Sequence, residues 1–465
     1  MFEKEEYISR RQRLSSQLKS GILLFLGNAE SPMNYADNTY HFRQDSTFLY
    51  YFGISSPQLA VVIDLEEDKT ILFGDEMSMD DIVWMGRQKT LREKAAEVGL
   101  AEVAPVSALT DLLAKAAQQN LQIHFLPPYR AGNKIRLSEL LSLNVQSLPA
   151  LASRLLIKAV VAQRSIKSAG EIQEIHSSVS TSVDMQLLAM QMARPGMKES
   201  KIAAALQEVA MAAGGNIAYP IILTVNGHIL HNHHHGNTLR EGDLVLNDSG
   251  AESAMGYAGD LTRTFPAGKE FSAKQKELYS IVLNAYSSAA ALLKPGLRYL
   301  DVHFEACLQL AEGLKALGLM RGDMKEAVQQ GAHALFFQCG TGHMMGLDVH
   351  DMEDLGEQYV GYTDELVKNT SQFGLKSLRL GKALEAGYVL TVEPGLYFIP
   401  ELIEQWESQK HLSAFINYEQ VNKYKSFGGI RLEDDFVITS EGSEILGKPL
   451  ALSIEEIEQI RSNAF

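Results

Sequence analysis

The chain has 465 residues, enough for two or three domains, and its 46% hydrophobic and 21% charged composition can bury full cores, which excludes wholesale disorder. Its 42 basic and 57 acidic side chains give a formal charge of −15, the wrong sign for a nucleic-acid coat or a binder of anionic membranes. Only two cysteines, Cys307 and Cys339, are present, so a disulfide framework is excluded and both read as buried thiols.

The first residues, up to 19, are charged and helix-like, with no basic patch leading into an apolar run, so no targeting segment and a soluble, cytoplasmic protein are expected. The run Ile22–Leu26 falls far short of the roughly 20 residues a membrane span needs. It reads as a strand, as do 59–65 and 71–73; helical patches follow at 91–98 and 108–117, then a strand at 122–126 before Pro127-Pro128. Helical patterns take over from about residue 151. Ser168-Ala-Gly-Glu171 has the spacing of a capping box, and a long helix is expected from there to Met192. The boundary is placed near 155–168, giving a mixed α/β N-terminal domain over 1–160 and a second domain over 161–465. In the second, Arg194-Pro-Gly-Met-Lys-Glu199 is echoed by Lys294-Pro-Gly-Leu-Arg-Tyr299. Pro-Gly is a generic turn; if the echo reflects two similar halves, a site is expected between them.

Carboxylates gather on the strand-like runs 244–248, 261–265, 389–393 and 429–438. Asp248, in Asn247-Asp-Ser-Gly250, and Asp260, in Gly259-Asp-Leu-Thr-Arg-Thr264, fit neighbouring strands of a hairpin, although Asp-Ser-Gly alone is also a common turn. Gly340-Thr-Gly-His343 through His350-Asp351 lacks the spacing of a phosphate loop and suits a backbone crowded around a site. Glu393 closes one apolar run. In Ile430-Arg-Leu-Glu433 the alternation puts Arg431 and Glu433 on one face, which by itself fits a buried ion pair. Together, four carboxylates and one imidazole balance two divalent cations and suit Mn²⁺, Co²⁺ or Zn²⁺. Two such ions about 3.5–4 Å apart activate water and polarise a carbonyl, so the set is that of a two-metal hydrolase.

These segments, with Leu230-His231 and Thr391–Tyr397 around Glu393, resemble the aminopeptidase P and prolidase branch of the pita-bread metallopeptidases. His41-Phe-Arg-Gln-Asp-Ser-Thr-Phe-Leu-Tyr-Tyr-Phe-Gly53 is similar to that family's N-terminal domain signature, so the resemblance covers essentially the whole chain. It implies an α/β (α+β) fold: a pita-bread catalytic domain of two pseudo-symmetric halves around an antiparallel sheet, preceded by the mixed α/β domain. It also implies that Asp248, Asp260 and Glu433 hold one metal and Asp260, His343, Glu393 and Glu433 the other, Mn²⁺ being favoured, with a bridging hydroxide as nucleophile. Glu393 would shuttle the proton to the leaving imino nitrogen. His231 and His350 would steady the substrate and the tetrahedral intermediate, Arg431 would orient Glu433 or its neighbours, and Tyr219 and Tyr397 would line the site. His233, His234 and His235 read as a solvated loop. A homodimer is implied as well. The family usually has a histidine where Cys339 stands, so a strong donor is replaced by a weak thiol. The separation of Asp248 and Asp260 is one residue longer than the family pattern, as a longer hairpin turn would make it.

Both relatives cleave between an N-terminal residue and proline, and a dipeptidase must also recognise a free carboxylate. Arg379 resembles the prolidase arginine with that task, and segments 359–373 and 401–424 look like the longer prolidase form. Many bacterial-type relatives with this N-terminal domain are aminopeptidases. The expectation is therefore an Xaa-Pro aminopeptidase acting on peptides with proline second, with an Xaa-Pro dipeptidase as alternative. A catalytically inactive binding module on the same fold would have lost ligands, and the amidinohydrolases of this fold lack the metal set.

Overall fold

The computed structural model describes residues 1–465, which form two compact units, Met1–Arg164 with Met352–Tyr359 and Ser165–Asp351 with Val360–Phe465. No single helix is long and apolar enough to cross a membrane. The first unit is built on five strands in the order Glu102–Ala104, Lys69–Phe73, Ala60–Asp64, Ile22–Leu26, Ile123–His124. The three central strands are antiparallel, and each outer strand runs parallel to its neighbour. Leu23, Val61, Val62 and Leu72 are fully buried, as unbroken apolar runs in a sheet covered on both faces require. The strand expected over 122–126 pairs only at Ile123–His124, because Pro127 restricts the residue before it and neither following proline can donate to a ladder. In the signature segment the Asp45 carboxylate accepts the Phe48 amide and opens the helix Ser46–Phe52. Gly53 closes that helix at φ 60°, with the Tyr7 ring so near that a Cβ would lie 2.5 Å from it.

In the second unit the capping box forms: Ser168 Oγ accepts the Glu171 amide, Glu171 accepts that of Ser168, and one helix runs Ala169–Met192. The Pro-Gly echo proves to be structural. Gly196 donates to the Leu239 carbonyl at 2.7 Å and Gly296 to that of Leu384 at 2.8 Å; Leu239 and Leu384 donate back to Met197 and Leu297. Both glycines have positive φ, 88° and 82°. Each turn joins two packed helices, Ala169–Met192 to Glu199–Ala212 and Ala273–Ala290 to Tyr299–Ala316. The two halves thus repeat helix, turn, helix and an extended segment bridged to the turn, the pseudo-symmetry expected of them.

Two antiparallel sheets lie inside these helices. One has the order Thr262–Pro266, Leu244–Asp248, Ile222–Thr224; the other Val389–Val392, Asp434–Ile438, Ser443–Ile445. The run expected as one strand over 429–438 is broken. Gly429–Arg431 pairs with Gly395–Tyr397, whereas Asp434–Ile438 pairs with Val389–Val392. Pro394 has no amide to continue the ladder, and opposite it the Glu433 amide turns away to the Thr262 carbonyl, 3.1 Å. That bridge joins the two sheets and leaves Glu393 and Glu433 facing each other across the break. Arg461, fully buried, ties the C-terminal helix Ile454–Asn463 to the carbonyls of Ala193, Ala267 and Gly268 at 2.7, 2.6 and 3.1 Å. Its guanidinium thereby meets the C-terminal end of Ala169–Met192, where the carbonyl dipoles favour a cation.

Candidate active site

Asp248 ends its strand opposite Thr262 on one side and Ile222 on the other. Asp260 stands two residues before the paired strand, at the end of the glycine-containing connector, so the two aspartates approach each other as a hairpin allows. The Tyr219 hydroxyl lies between them, 2.7 Å from Asp248 and 2.5 Å from Asp260. The Asp260 amide is held at 2.9 Å by Asp435, whose other carboxyl oxygen is buried without a partner.

The glycine-rich segment runs beside Val389–Val392. Glu393 donates its amide to the Thr341 carbonyl at 2.7 Å, and Thr391 donates to that of His343 at 3.0 Å. A Cβ at Gly342 would come within 2.1 Å of the Thr391 carbonyl and 2.3 Å of the Tyr299 hydroxyl, so only glycine permits this approach. His343 is thereby delivered to the carboxylates: Nε2 lies 3.4 Å from Asp260 and 3.7 Å from Glu393, while Nδ1 is 3.1 Å from the Met344 carbonyl. That carbonyl can only accept, so Nδ1 carries the proton and Nε2 presents a lone pair.

Asp248, Asp260, His343, Glu393 and Glu433 all line one cavity of about 240 Å³, together with Tyr219, His231, His350, Arg379 and Arg431. Asp260, His343 and Glu433 each offer an atom within 4.8 Å of the others. The His343 and His350 rings meet edge to face at 4.4 Å. Burial lifts the Glu393 carboxyl to about 7, against the opposing charge of Arg431, and holds Glu433 and Asp435 well above the usual carboxylate range. Asp248 is also raised by burial, with Arg431 opposing; at Asp260 burial acts upward but is outweighed by His343, Tyr219 and His350 together, and the carboxyl is lowered. Crowded carboxyls of this kind can all ionise only with cations among them. Oxygen-rich ligation with one imidazole fits divalent metal, so the donor set suits the group the family uses. Burial likewise lowers His231, which favours its neutral form.

Three expectations are corrected. Arg431 does not pair with Glu433. Its Nη2 meets Asp248, Nη1 donates to Tyr397 at 3.0 Å and Nε to Thr262 Oγ1 at 3.1 Å; that hydroxyl then donates to Glu433 at 2.6 Å. The strand ends at Arg431, so the alternation that would have put Glu433 beside it does not continue. Tyr397 does not line the cavity: it is fully buried in the ribbon Gly395–Tyr397 and Gly429–Arg431, with its hydroxyl on Arg431. Cys339 is not a core thiol either. It is half-buried on the cavity wall, and burial holds the thiol near 12 and neutral. His233, read as loop, reaches the wall as well. Of the residues not singled out, Thr262 and Asp435 matter most, and Asp435 had a legible signal: in Glu433-Asp-Asp435 alternation places it on the side of Glu433.

Comparison with known proteins gives a consistent set. The model for metallopeptidase family M24 matches residues 173–440, and that for the aminopeptidase P N-terminal domain matches 7–124. The Xaa-Pro aminopeptidase of Escherichia coli (strain K12) is 31% identical over 98% of this chain and 97% of its own length. The Xaa-Pro dipeptidase of Homo sapiens is 30% identical over 96% and 91%. The structure of zinc-substituted E. coli aminopeptidase P in complex with product superposes with a TM-score of 0.79 at 30% identity, covering 100% of this chain and 99% of that one.

Proposed function

Since the chain belongs to metallopeptidase family M24 and carries the N-terminal domain of aminopeptidase P, we propose that it is a metal-dependent Xaa-Pro aminopeptidase, releasing an N-terminal residue that precedes proline. The observation that carries this reading is the convergence of Asp248, Asp260, His343, Glu393 and Glu433 on one cavity, in a chain that matches such enzymes from end to end. Asp248, Asp260 and Glu433 would hold one divalent ion; Asp260, His343, Glu393 and Glu433 would hold the other, with Mn²⁺ as our assignment for so oxygen-rich a set. When bound, the ions supply a water that is nucleophilic at neutral pH and an electrophile for the scissile carbonyl.

The chain's own groups do the rest. Glu393 takes the proton of the attacking water and passes it to the imino nitrogen of the leaving proline. His231 and His350, both on the cavity wall, hydrogen-bond the substrate and the oxyanion that develops from its carbonyl. Ile222, Leu230 and Pro220 give the proline ring an apolar wall. Arg431 positions Asp248 directly and Glu433 through Thr262; Tyr397 positions Arg431. A dipeptidase is the second reading, favoured by Arg379 on the same wall, where a guanidinium would grip a free carboxylate in a bidentate manner.

Hydrolysis of Ala-Pro against Ala-Pro-Ala by metal-stripped protein refilled with Mn²⁺ separates the two. A higher kcat/KM on the tripeptide supports the aminopeptidase. A tenfold preference for the dipeptide, about 1.4 kcal/mol in the transition state, establishes the dipeptidase and makes Arg379 its carboxylate clamp. Activity on neither substrate overturns both readings and directs attention to Cys339.

A further inference from the structure

A second group of potential ligands lies in the interior of the catalytic unit, away from the carboxylates. His303 and Cys307 occupy one face of the helix Tyr299–Ala316, four residues apart and one turn above each other. His333 comes from the turn Ala332–Leu335, opened by Gly331 at φ 83°. All three side chains are buried, and one donor atom from each lies within 4.8 Å of the other two. His303 Nδ1 is 2.8 Å from the Thr341 hydroxyl, which fixes the ring and turns Nε2 toward Cys307 Sγ, 3.5 Å away. A ring held through Nδ1 so that Nε2 faces the other donors is how ligating imidazoles are usually oriented.

His333 supplies the independent observation. It is 1% exposed, and neither ring nitrogen has a hydrogen-bond partner. A histidine merely accommodated in a core satisfies at least one nitrogen. Here the ring stands edge to face with His303 at 6.3 Å, and Phe337 packs on the other side of His303 at 6.0 Å. An ion held among His333, His303 and Cys307 would give one of these nitrogens a partner.

We propose that His303, Cys307 and His333 supply three donors of a buried site for a borderline-soft metal ion of the zinc class, water completing the shell. Nitrogen and sulfur donors in these proportions favour Zn²⁺ over the harder Mn²⁺ assigned to the carboxylate cavity. Ligands about 2.0–2.1 Å (nitrogen) and 2.3 Å (sulfur) from a tetrahedral ion stand roughly 3.3–3.6 Å apart. His303 Nε2 and Cys307 Sγ already stand at that separation, so capture needs only His333 to close in from at most 4.8 Å. The balance is simple: the ion binds two neutral imidazoles and a thiolate, and the Cys307 proton leaves to solvent. A bound ion would fix the helix to the turn Ala332–Leu335. Through Thr341, whose carbonyl accepts from Glu393 and Tyr299, it would also steady the segment that carries His343.

The test uses the full chain, stripped of metal under reducing conditions and refilled with Co²⁺, read by metal counting and by the near-ultraviolet sulfur-to-cobalt charge-transfer band. The expected result is such a band in the unaltered protein and in Cys339→Ala, and its loss in Cys307→Ala together with one metal equivalent per chain. His333→Gln should behave as Cys307→Ala. Since the comparison is between variants, it stands whether or not the carboxylate cavity binds two ions. A band that survives Cys307→Ala and vanishes in Cys339→Ala places the sulfur in the cavity and overturns the proposal, as does equal metal content in all four proteins. Should Cys307→Ala fail to fold, X-ray absorption of zinc-filled Cys339→Ala decides: a sulfur scatterer at about 2.3 Å supports the site and nitrogen and oxygen alone refute it.

Discussion

Arg263 is the side chain whose removal should cost the catalytic unit most. It is 1% exposed; Nη2 lies 2.8 and 3.1 Å from the two carboxyl oxygens of Asp434, Nη1 donates to the Glu433 carbonyl at 2.8 Å, and Nε to that of Ala451 at 2.7 Å. Replacing it with methionine keeps an apolar stem but leaves the Asp434 carboxylate, buried beside Tyr286, without its cation. Breaking a buried pair from one side costs about 3–5 kcal/mol, and the carbonyls of Thr262, Glu433 and Ala451, deprived of this donor, add about 1 kcal/mol, that of Thr262 keeping the Glu433 amide. The expected loss is therefore about 4–6 kcal/mol, a large share of the 5–15 kcal/mol typical of a folded domain. Urea unfolding followed by tryptophan fluorescence suits the measurement. Trp406 is buried in this unit, whereas Trp84 in the other is 86% exposed and changes little on unfolding. The double variant Arg263→Met with Asp434→Leu should regain about 2–3 kcal/mol, because no uncompensated charge remains. A single-variant loss below about 1 kcal/mol, or a double variant equal to the sum of the singles, would refute the reasoning.

Other outcomes can be stated more briefly. Glu393→Gln should lower kcat by about 10²–10⁴-fold, the range of a lost proton shuttle, while the urea midpoint is kept; near-normal turnover removes Glu393 from that role. Arg379→Ala should weaken Xaa-Pro dipeptides about tenfold more than longer peptides, and equal losses in kcat/KM would show that it does not read the carboxylate. Gly342→Ala should reduce metal retention during dialysis against chelator, because the new methyl displaces the strand edge that presents His343; unchanged retention would contradict the close packing. Burial pushes the Lys382 ammonium down to about 8 from 10.5. Between those values the unfolded chain holds a proton that the folded chain has lost, so stability rises with pH across the window. Lys382→Met should be more stable at neutral pH by about 1–2 kcal/mol, allowing for partial exposure, and should lose that pH slope; an unchanged slope assigns it to other groups.

What the sequence disclosed was whatever depends on neighbours a few residues apart. The capping box at Ser168 and Glu171 is complete within one turn of helix, and each Pro-Gly turn announces itself locally. The separate motifs bearing Asp248, Asp260, His343, Glu393 and Glu433 were visible as strand ends rich in carboxylates and as a glycine-rich loop. What remained hidden depends on crossings between segments far apart. The break that separates Gly429–Arg431 from Asp434–Ile438 exists because Glu433 bridges to Thr262, and no periodicity within the run reports a partner so remote. The same crossing sends Arg431 to Asp248 and hides Tyr397 behind it. His333 gave no signal, since a lone histidine in an apolar stretch reads as core until His303 and Cys307 are seen beside it.

The ligands of the cavity are also ordered in time. A ribosome making about 5–20 residues per second takes roughly 10–40 s to pass from Asp248 to Glu433. Until then the strand Thr262–Pro266 has no Glu433 to bridge to, and the sheet that carries Glu393 lacks its central strand Asp434–Ile438. Arg461 then fastens the last helix over turns laid down much earlier, at Ala193 and Ala267. The ligand set is thus complete only once Glu433 and the strand Asp434–Ile438 have been made. A nascent chain interrupted before that point carries most of the catalytic unit and an incomplete ligand set.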